Sequence, residues 1–169
     1  MMPAARVVEA LTPWPFGLSV RQTVGKMVEL TRTASVTPAV IDLAKDIVRD
    51  VRPGDVPGYV QAIDEFNQMV FRWTPDPRNT ESLTDPVRQV AELRAQGYVQ
   101  NDCDDNSMLT ASLARAIGIR TRFVTMGLLS TGPIAHVRAE AYTGRGWVSL
   151  DRSAPSLAPG ERSIAVEVA

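Results

Sequence analysis

In this chain every long stretch with helical periodicity lies before Gly118, and every long strand-like stretch lies after it. An order of helices first and strands second argues for an α+β fold, with an antiparallel sheet laid against a helical layer. Thr37 and Pro38 open a helix whose stripe is Val40, Ile41, Ala44, Ile47, Val48 and Val51, stopped by Pro53-Gly54. A second starts at Asp55, with Val60, Ile63, Phe66, Asn67 and Val70 on one side, and ends where Trp73-Thr74-Pro75-Asp76-Pro77 forbids continuation. Asp85-Pro86 starts a third, with Val87, Val90 and Leu93 inward and Gly97 at its end. A fourth opens at 101–105 and carries Met108, Leu109, Leu113 and Ile117 before Gly118, which suits a left-handed cap. Strand-like runs then follow at 119–128, 135–142 and 146–150.

The ends of the chain are less regular. Residues 1–19 hold Pro3, Pro13, Pro15 and Gly17 around Trp14 and Phe16, which reads as an extended arm, and a short helix is expected over 20–30. The resulting division is an arm and short helix over 1–36, a core over 37–155, and a strand or tail over 156–169, with the alternation at 163–168 as its regular part.

Bulk properties remove several classes of function. The 169 residues suffice for one domain with a real core. Eighteen basic against nineteen acidic residues leave no electrostatic footprint for nucleic acid or an anionic membrane. One cysteine forms no internal disulfide, and one cysteine with one histidine does not complete a tetrahedral zinc site, so neither a metal nor a cofactor is called for. The first residues, broken by Pro13 and Pro15, do not form a signal peptide, and no stretch approaches the ~20 apolar residues of a membrane span. The expectation is a soluble, cytoplasmic chain in a reducing compartment.

The lone thiol and the lone imidazole both fall within 97–151. Cys103 stands at a helix start, His136 at the start of a strand-like run, and Asp151 at the end of another. Cysteine, histidine and aspartate in those places are the parts of a nucleophile, a base and an orienting group. A helix N-terminus lowers a thiol pKa through its unpaired N–H groups, an adjacent imidazole holds the thiolate as an ion pair, and Asp151 would fix the imidazole tautomer. An oxyanion hole would need the Cys103 N–H and a second donor, for which Gln100 and Asn101 are the candidates. Asp102, Asp104 and Asp105 act in the opposite direction, because neighbouring negative charge raises a thiol pKa unless those carboxylates are engaged as helix caps.

Plainer readings compete. Free cysteine is commonly inert packing, a lone histidine is commonly structural, and an aspartate at a strand end commonly makes a turn. The alternation of Asp102, Asp104 and Asn106 suggests a calcium loop, but Ser107 stands where that loop needs glycine and Leu113 where it needs a bidentate glutamate. Arg115, Arg120 and Arg122 have no aromatic stacking platform beside them in sequence and read as a solvated edge.

Taken together, the segments around Cys103 and His136 resemble the core of the transglutaminase-like superfamily, in the bacterial or phage type with a Cys-Asp-Asp motif. The nucleophile segment is Cys103, Asp105, Ser107, the leucine-bearing run 109–117, then Gly118-Ile119-Arg120-Thr121-Arg122. The second segment is His136, Glu140 and Gly146-Trp147-Val148-Ser149-Leu150-Asp151. Trp73-Thr74-Pro75-Asp76-Pro77 and Glu81 look like the entry segment of such relatives, so the resemblance spans about 73–155. Asn101 stands where many relatives carry glycine, and Arg152 where proline is common.

The resemblance implies a papain-like core with Cys103 as nucleophile, His136 as base and Asp151 as orienter. The function expected is cysteine-dependent acyl transfer, or hydrolysis of an amide or peptide through a thioester, on a protein or peptide substrate. The alternative is a phage virion or assembly component that keeps the fold for binding and docks on phage structural proteins through 1–19 or 163–168.

Overall fold

The computed structural model describes residues 7–8, 16–76, 82–127, 134–151 and 163–169. The expectations attached to Trp14, to Glu81 and to residues 128–133 fall outside them. Helices α1 (Phe16–Ser35), α2 (Pro38–Val48) and α3 (Val56–Val70) come first, with strand β1 (Val7–Val8) before them. Strands β2 (Phe71–Trp73) and β3 (Leu83–Thr84), helix α4 (Pro86–Gln96) and strand β4 (Val99–Asn101) lead into α5 (Cys103–Ala116). Strands β5 (Thr121–Gly127), β6 (Ile134–Tyr142), β7 (Trp147–Ser149) and β8 (Ser163–Glu167) close the order.

The four last strands form one antiparallel sheet in the order β7-β6-β5-β8, and the α+β architecture is the one read from the sequence. Residues 163–167 are thus an edge strand, paired with β5 from Arg122↔Glu167 to Met126↔Ser163. Two small pairings precede the sheet: β1 runs antiparallel to β3, and β2 runs parallel to β4.

Local chemistry explains most helix ends. Asp55 accepts from the Gly58 N–H and Asp85 from the Val87 N–H, each capping a helix with proline in its first turn. Gly97 and Gly118 take φ of 83° and 84°, the left-handed conformation that only glycine enters without strain. The expected short helix over 20–30 is a correction: α1 runs from Phe16 to Ser35. Its extension is held by burial of Thr31, Ala34 and Ser35, since α1 packs along α5.

Helix α5 is the axis of the molecule. It lies against α1, α2, α3 and α4 on one side and β6 on the other, and residues 104–114 are all buried. Such an element normally reads as apolar all round. Here Ser107, Thr110 and Ser112 donate to the carbonyls of Cys103, Asn106 and Met108, four residues back, at 2.6, 3.1 and 2.7 Å. Their hydroxyls therefore enter the core already paired. Phe123, Val137, Ala139 and Ala141 belong to the same core cluster, and two alanines on β6 let the helix approach closely.

Among the described residues, no helix is long and apolar enough to cross a membrane. Arg120 pairs with Glu167 at 3.0 Å and Arg122 with Glu140 at 2.7 Å, so both cations are engaged at the sheet.

Candidate active site

The site forms where β7 stops short. Its three residues pair with Glu140, Ala141 and Tyr142 of β6, and one further ladder bond runs from the Leu150 N–H to the Ala139 carbonyl at 2.9 Å. Backbone groups two residues apart on a strand point the same way, so the N–H and C=O of Val137 also face the β7 side. The first turn of α5 occupies that stretch. Ser107 Oγ donates to the Val137 carbonyl at 3.2 Å, and the Val137 N–H hydrogen-bonds to the sulfur of Cys103. A helix start has taken the place of a strand.

His136 precedes Val137, and the chain leaving β7 brings Asp151 back to it. His136 Nε2 lies 2.9 Å from Asp151 Oδ2, with the carboxyl group almost fully buried. A two-residue knot fixes the backbone there: Ser149 Oγ donates to the Asp151 carbonyl at 2.7 Å, and the Asp151 N–H donates to Ser149 Oγ at 3.1 Å. With Nε2 given to Asp151, Nδ1 is the ring nitrogen left for a reacting group. The structure thus joins His136 to Asp151 directly and places Cys103 on the peptide that follows His136.

The electrostatics oppose a free thiolate. Burial pushes the Cys103 thiol up from 9.0 to about 12, and the charges of Asp104 and Asp102 add to the rise. The Val137 N–H and the cysteine's own N–H act the other way and are outweighed. Helix-start chemistry alone would lower the thiol; burial and the neighbouring carboxylates outweigh it. Capping explains part of it, because Asp102 makes no side-chain cap bond although it occupies the N-cap position. Asp104 Oδ1 accepts from the Asp105 N–H at 2.8 Å, whereas Asp105 Oδ1 accepts from β3 instead of its own helix. Oxygens of Asp102, Asp104 and Asp105 lie within 4.8 Å of one another.

Gln100 and Asn101 are neighbours on β4, so their side chains point to opposite faces. Gln100 is exposed, and Asn101 is half-buried with an Nδ2 donor that has no partner among the described residues. Asn101 also anchors its strand, since the Thr74 N–H donates to its carbonyl at 2.8 Å. Sequence reasoning did not find Val137, whose part is played by its peptide group and leaves no trace in side-chain type. Ser107 had a signal, a small polar residue one helical turn after Cys103.

The family model described as the transglutaminase-like superfamily matches residues 42–152. That span is more than half of the chain and takes in Cys103, His136 and Asp151, and the chain belongs to this superfamily. No curated protein and no solved structure matched it.

Proposed function

We propose that this protein is a cysteine-dependent acyl-transfer enzyme in which Cys103 is the nucleophile, His136 the general base and acid, and Asp151 the orienting carboxylate. The observation that carries the reading is the His136–Asp151 contact at 2.9 Å, formed one residue from the peptide that holds the Cys103 sulfur. Because the thiol is held up near 12, its proton leaves during attack: Cys103 gives it to His136 Nδ1 as the sulfur bonds to the carbonyl carbon of an amide. The imidazolium so formed is stabilised through Nε2–H by Asp151. It then protonates the leaving amine as the C–N bond breaks, which leaves a thioester on Cys103. Water or an amine, deprotonated by the same imidazole, releases the acyl group and regenerates the thiol.

The developing oxyanion would be met by the Cys103 N–H, with Asn101 Nδ2 favoured over Gln100 as the second donor because it is the buried donor that lacks a partner. Hydrolysis of a peptide or protein amide is the reaction proposed, within the bacterial or phage type of this superfamily.

p-Nitrophenyl acetate supplies a test. The wild type should form an acetyl adduct on Cys103, Cys103→Ala should form none, and His136→Ala should acylate about a hundredfold more slowly. Undiminished turnover by Cys103→Ala sinks the mechanism. A second reading, a phage assembly component that keeps the fold for binding, has one observation in its favour: β8 lies last in the sheet order, where an added strand could pair. Co-sedimentation with assembled phage structures, combined with an unreactive Cys103, would support it over catalysis.

A further inference from the structure

Thr84 on β3, Gln89 on α4 and Asp105 on α5 are tied to one another in a closed set of bonds. The Thr84 N–H donates to Asp105 Oδ1 at 2.5 Å. Gln89 Nε2 donates both to the Thr84 carbonyl and to the Asp105 carbonyl, each at 3.0 Å. Gln89 is wholly buried and Asp105 nearly so, which leaves little competition from water for these bonds. Two features set the arrangement apart from ordinary packing. A carboxylate in the first turn of a helix commonly accepts from that helix's own free N–H groups, whereas Asp105 reaches across to another strand. A glutamine wholly inside a core is also a poor filler unless its amide is needed, and both bonds of Gln89 Nε2 go to the peptide groups that flank the Asp105 contact.

Asp105 follows Cys103 by two residues in the same helical turn. We propose that Asp105 and Gln89 are positioning residues that, through the Thr84 peptide, clamp the first turn of α5 to β3 and so hold the Cys103 sulfur at the Val137 N–H beside His136. The catalytic consequence rests on the acyl-transfer reading above; the mechanical one does not.

The clamp has a chemical signature. Burial pushes the Asp105 carboxyl up to about 7, opposed by its bonds to Thr84 and reinforced by the like charges facing it, Asp102 at the start of α5 and Asp76 beyond β2. Because the closed, buried arrangement raises the pKa of this carboxyl, ionisation favours opening, so the clamp loosens as pH rises through neutrality. Asn in place of Asp105 retains an acceptor and has no proton to lose.

Amide hydrogen exchange of the full chain, paired with alkylation of Cys103 by iodoacetamide, tests this. In Asp105→Ala and Gln89→Leu the amides of Thr84 and Val137 should exchange at least about tenfold faster, while those of residues 109–114 keep their protection. Asp105→Asn should restore Val137 and remove the pH dependence near neutrality. In Asp105→Ala the factor by which His136→Ala changes the alkylation rate should fall toward one. Unchanged Val137 protection in a folded Asp105→Ala overturns the proposal. Gln89→Leu, which roughly conserves volume, decides the matter should Asp105→Ala not fold. A wild-type alkylation rate indifferent to His136 defeats the acyl-transfer reading alone, and the exchange rates then judge the clamp by themselves.

Discussion

Glu140 and Asp105 are buried to the same degree, 4 % and 3 % exposed, in opposite surroundings. Glu140 accepts from Arg122 Nε at 2.8 Å and from Arg138 Nε and Nη2 at 3.0 and 2.6 Å. The Arg122 guanidinium in turn lies 4.4 Å from the centre of the Trp147 ring. Asp105 has neutral donors and makes no ion pair among the described residues, and the charges closest in effect, Asp102 and Asp76, share its sign. One carboxylate is neutralised and holds a sheet together. The other is left uncompensated two residues from Cys103, the nucleophile of the proposed mechanism, and perturbed groups tend to gather where chemistry needs them.

The largest effect expected from probing this contrast lies at the third carboxylate, Asp151, the orienting group of the proposed mechanism. Asp151→Asn should lower single-turnover acylation by about a thousandfold with the fold intact, since it disturbs the His136 tautomer and leaves its packing in place. Rapid-quench measurement of the acetyl-enzyme reads it; a loss below tenfold would remove Asp151 from the mechanism. Next comes Glu140→Ala, which leaves Arg122 and Arg138 half-buried and unpaired and should destabilise the fold by about 3 kcal/mol in urea titration. Little change there would mean that the neutralised carboxylate is as dispensable as a surface pair.

The stability effect at Asp105 has a defined sign. Its folded-state pKa is raised from 3.8 to about 7, so its contribution is fully present below about pH 4 and is lost as pH rises through 7. Asp105→Asn should therefore gain on the wild type between pH 4 and pH 8, by roughly 2 kcal/mol after allowance for relaxation around a buried charge. Equal pH dependence of both proteins in thermal or urea unfolding would show that Asp105 is as well compensated as Glu140. The smallest effect belongs to Asp102→Asn combined with Asp104→Asn. Removing two negative charges lowers the thiol, by about one pH unit, and should speed Cys103 alkylation at pH 8 about tenfold. Burial, the larger cause of the raised thiol, would remain.

How much of this was legible in the sequence depends on the range of the interaction involved. Asp85-Pro86, Gly97 and Gly118 mark helix ends through their own backbone preferences, and each sits where those preferences put it. The true length of α1 was hidden because Gly17 and Gly25 look like breakers and Thr31 and Thr33 are poor helix formers; packing against α5 overrides them. Strands β2 and β4 were missed for a related reason, since three-residue pairings such as Arg72↔Gln100 exist only once distant segments meet. In the site, Cys103, His136 and Asp151 stand out by type and order, and the structure brings His136 and Asp151 into contact. The sign of the thiol shift was not legible, because it depends on how deeply the sulfur sits. Nor was the clamp, in which a glutamine and a threonine peptide act on a helix 16 and 21 residues away.

The shortness of β7 has a consequence beyond chemistry. A strand whose N–H and C=O groups are left unpaired along one side is an invitation to another chain, and proteins keep such margins covered. On β6 the cover at Val137 is the start of α5 itself, through the Cys103 sulfur and the Ser107 hydroxyl. The helix end that carries Cys103 is therefore also a guard against self-association. A substitution that loosens this turn should be visible as concentration-dependent clumping in light scattering as well as in slower chemistry, and any substrate that displaces the turn lays bare, for as long as it stays, a length of strand ready to pair.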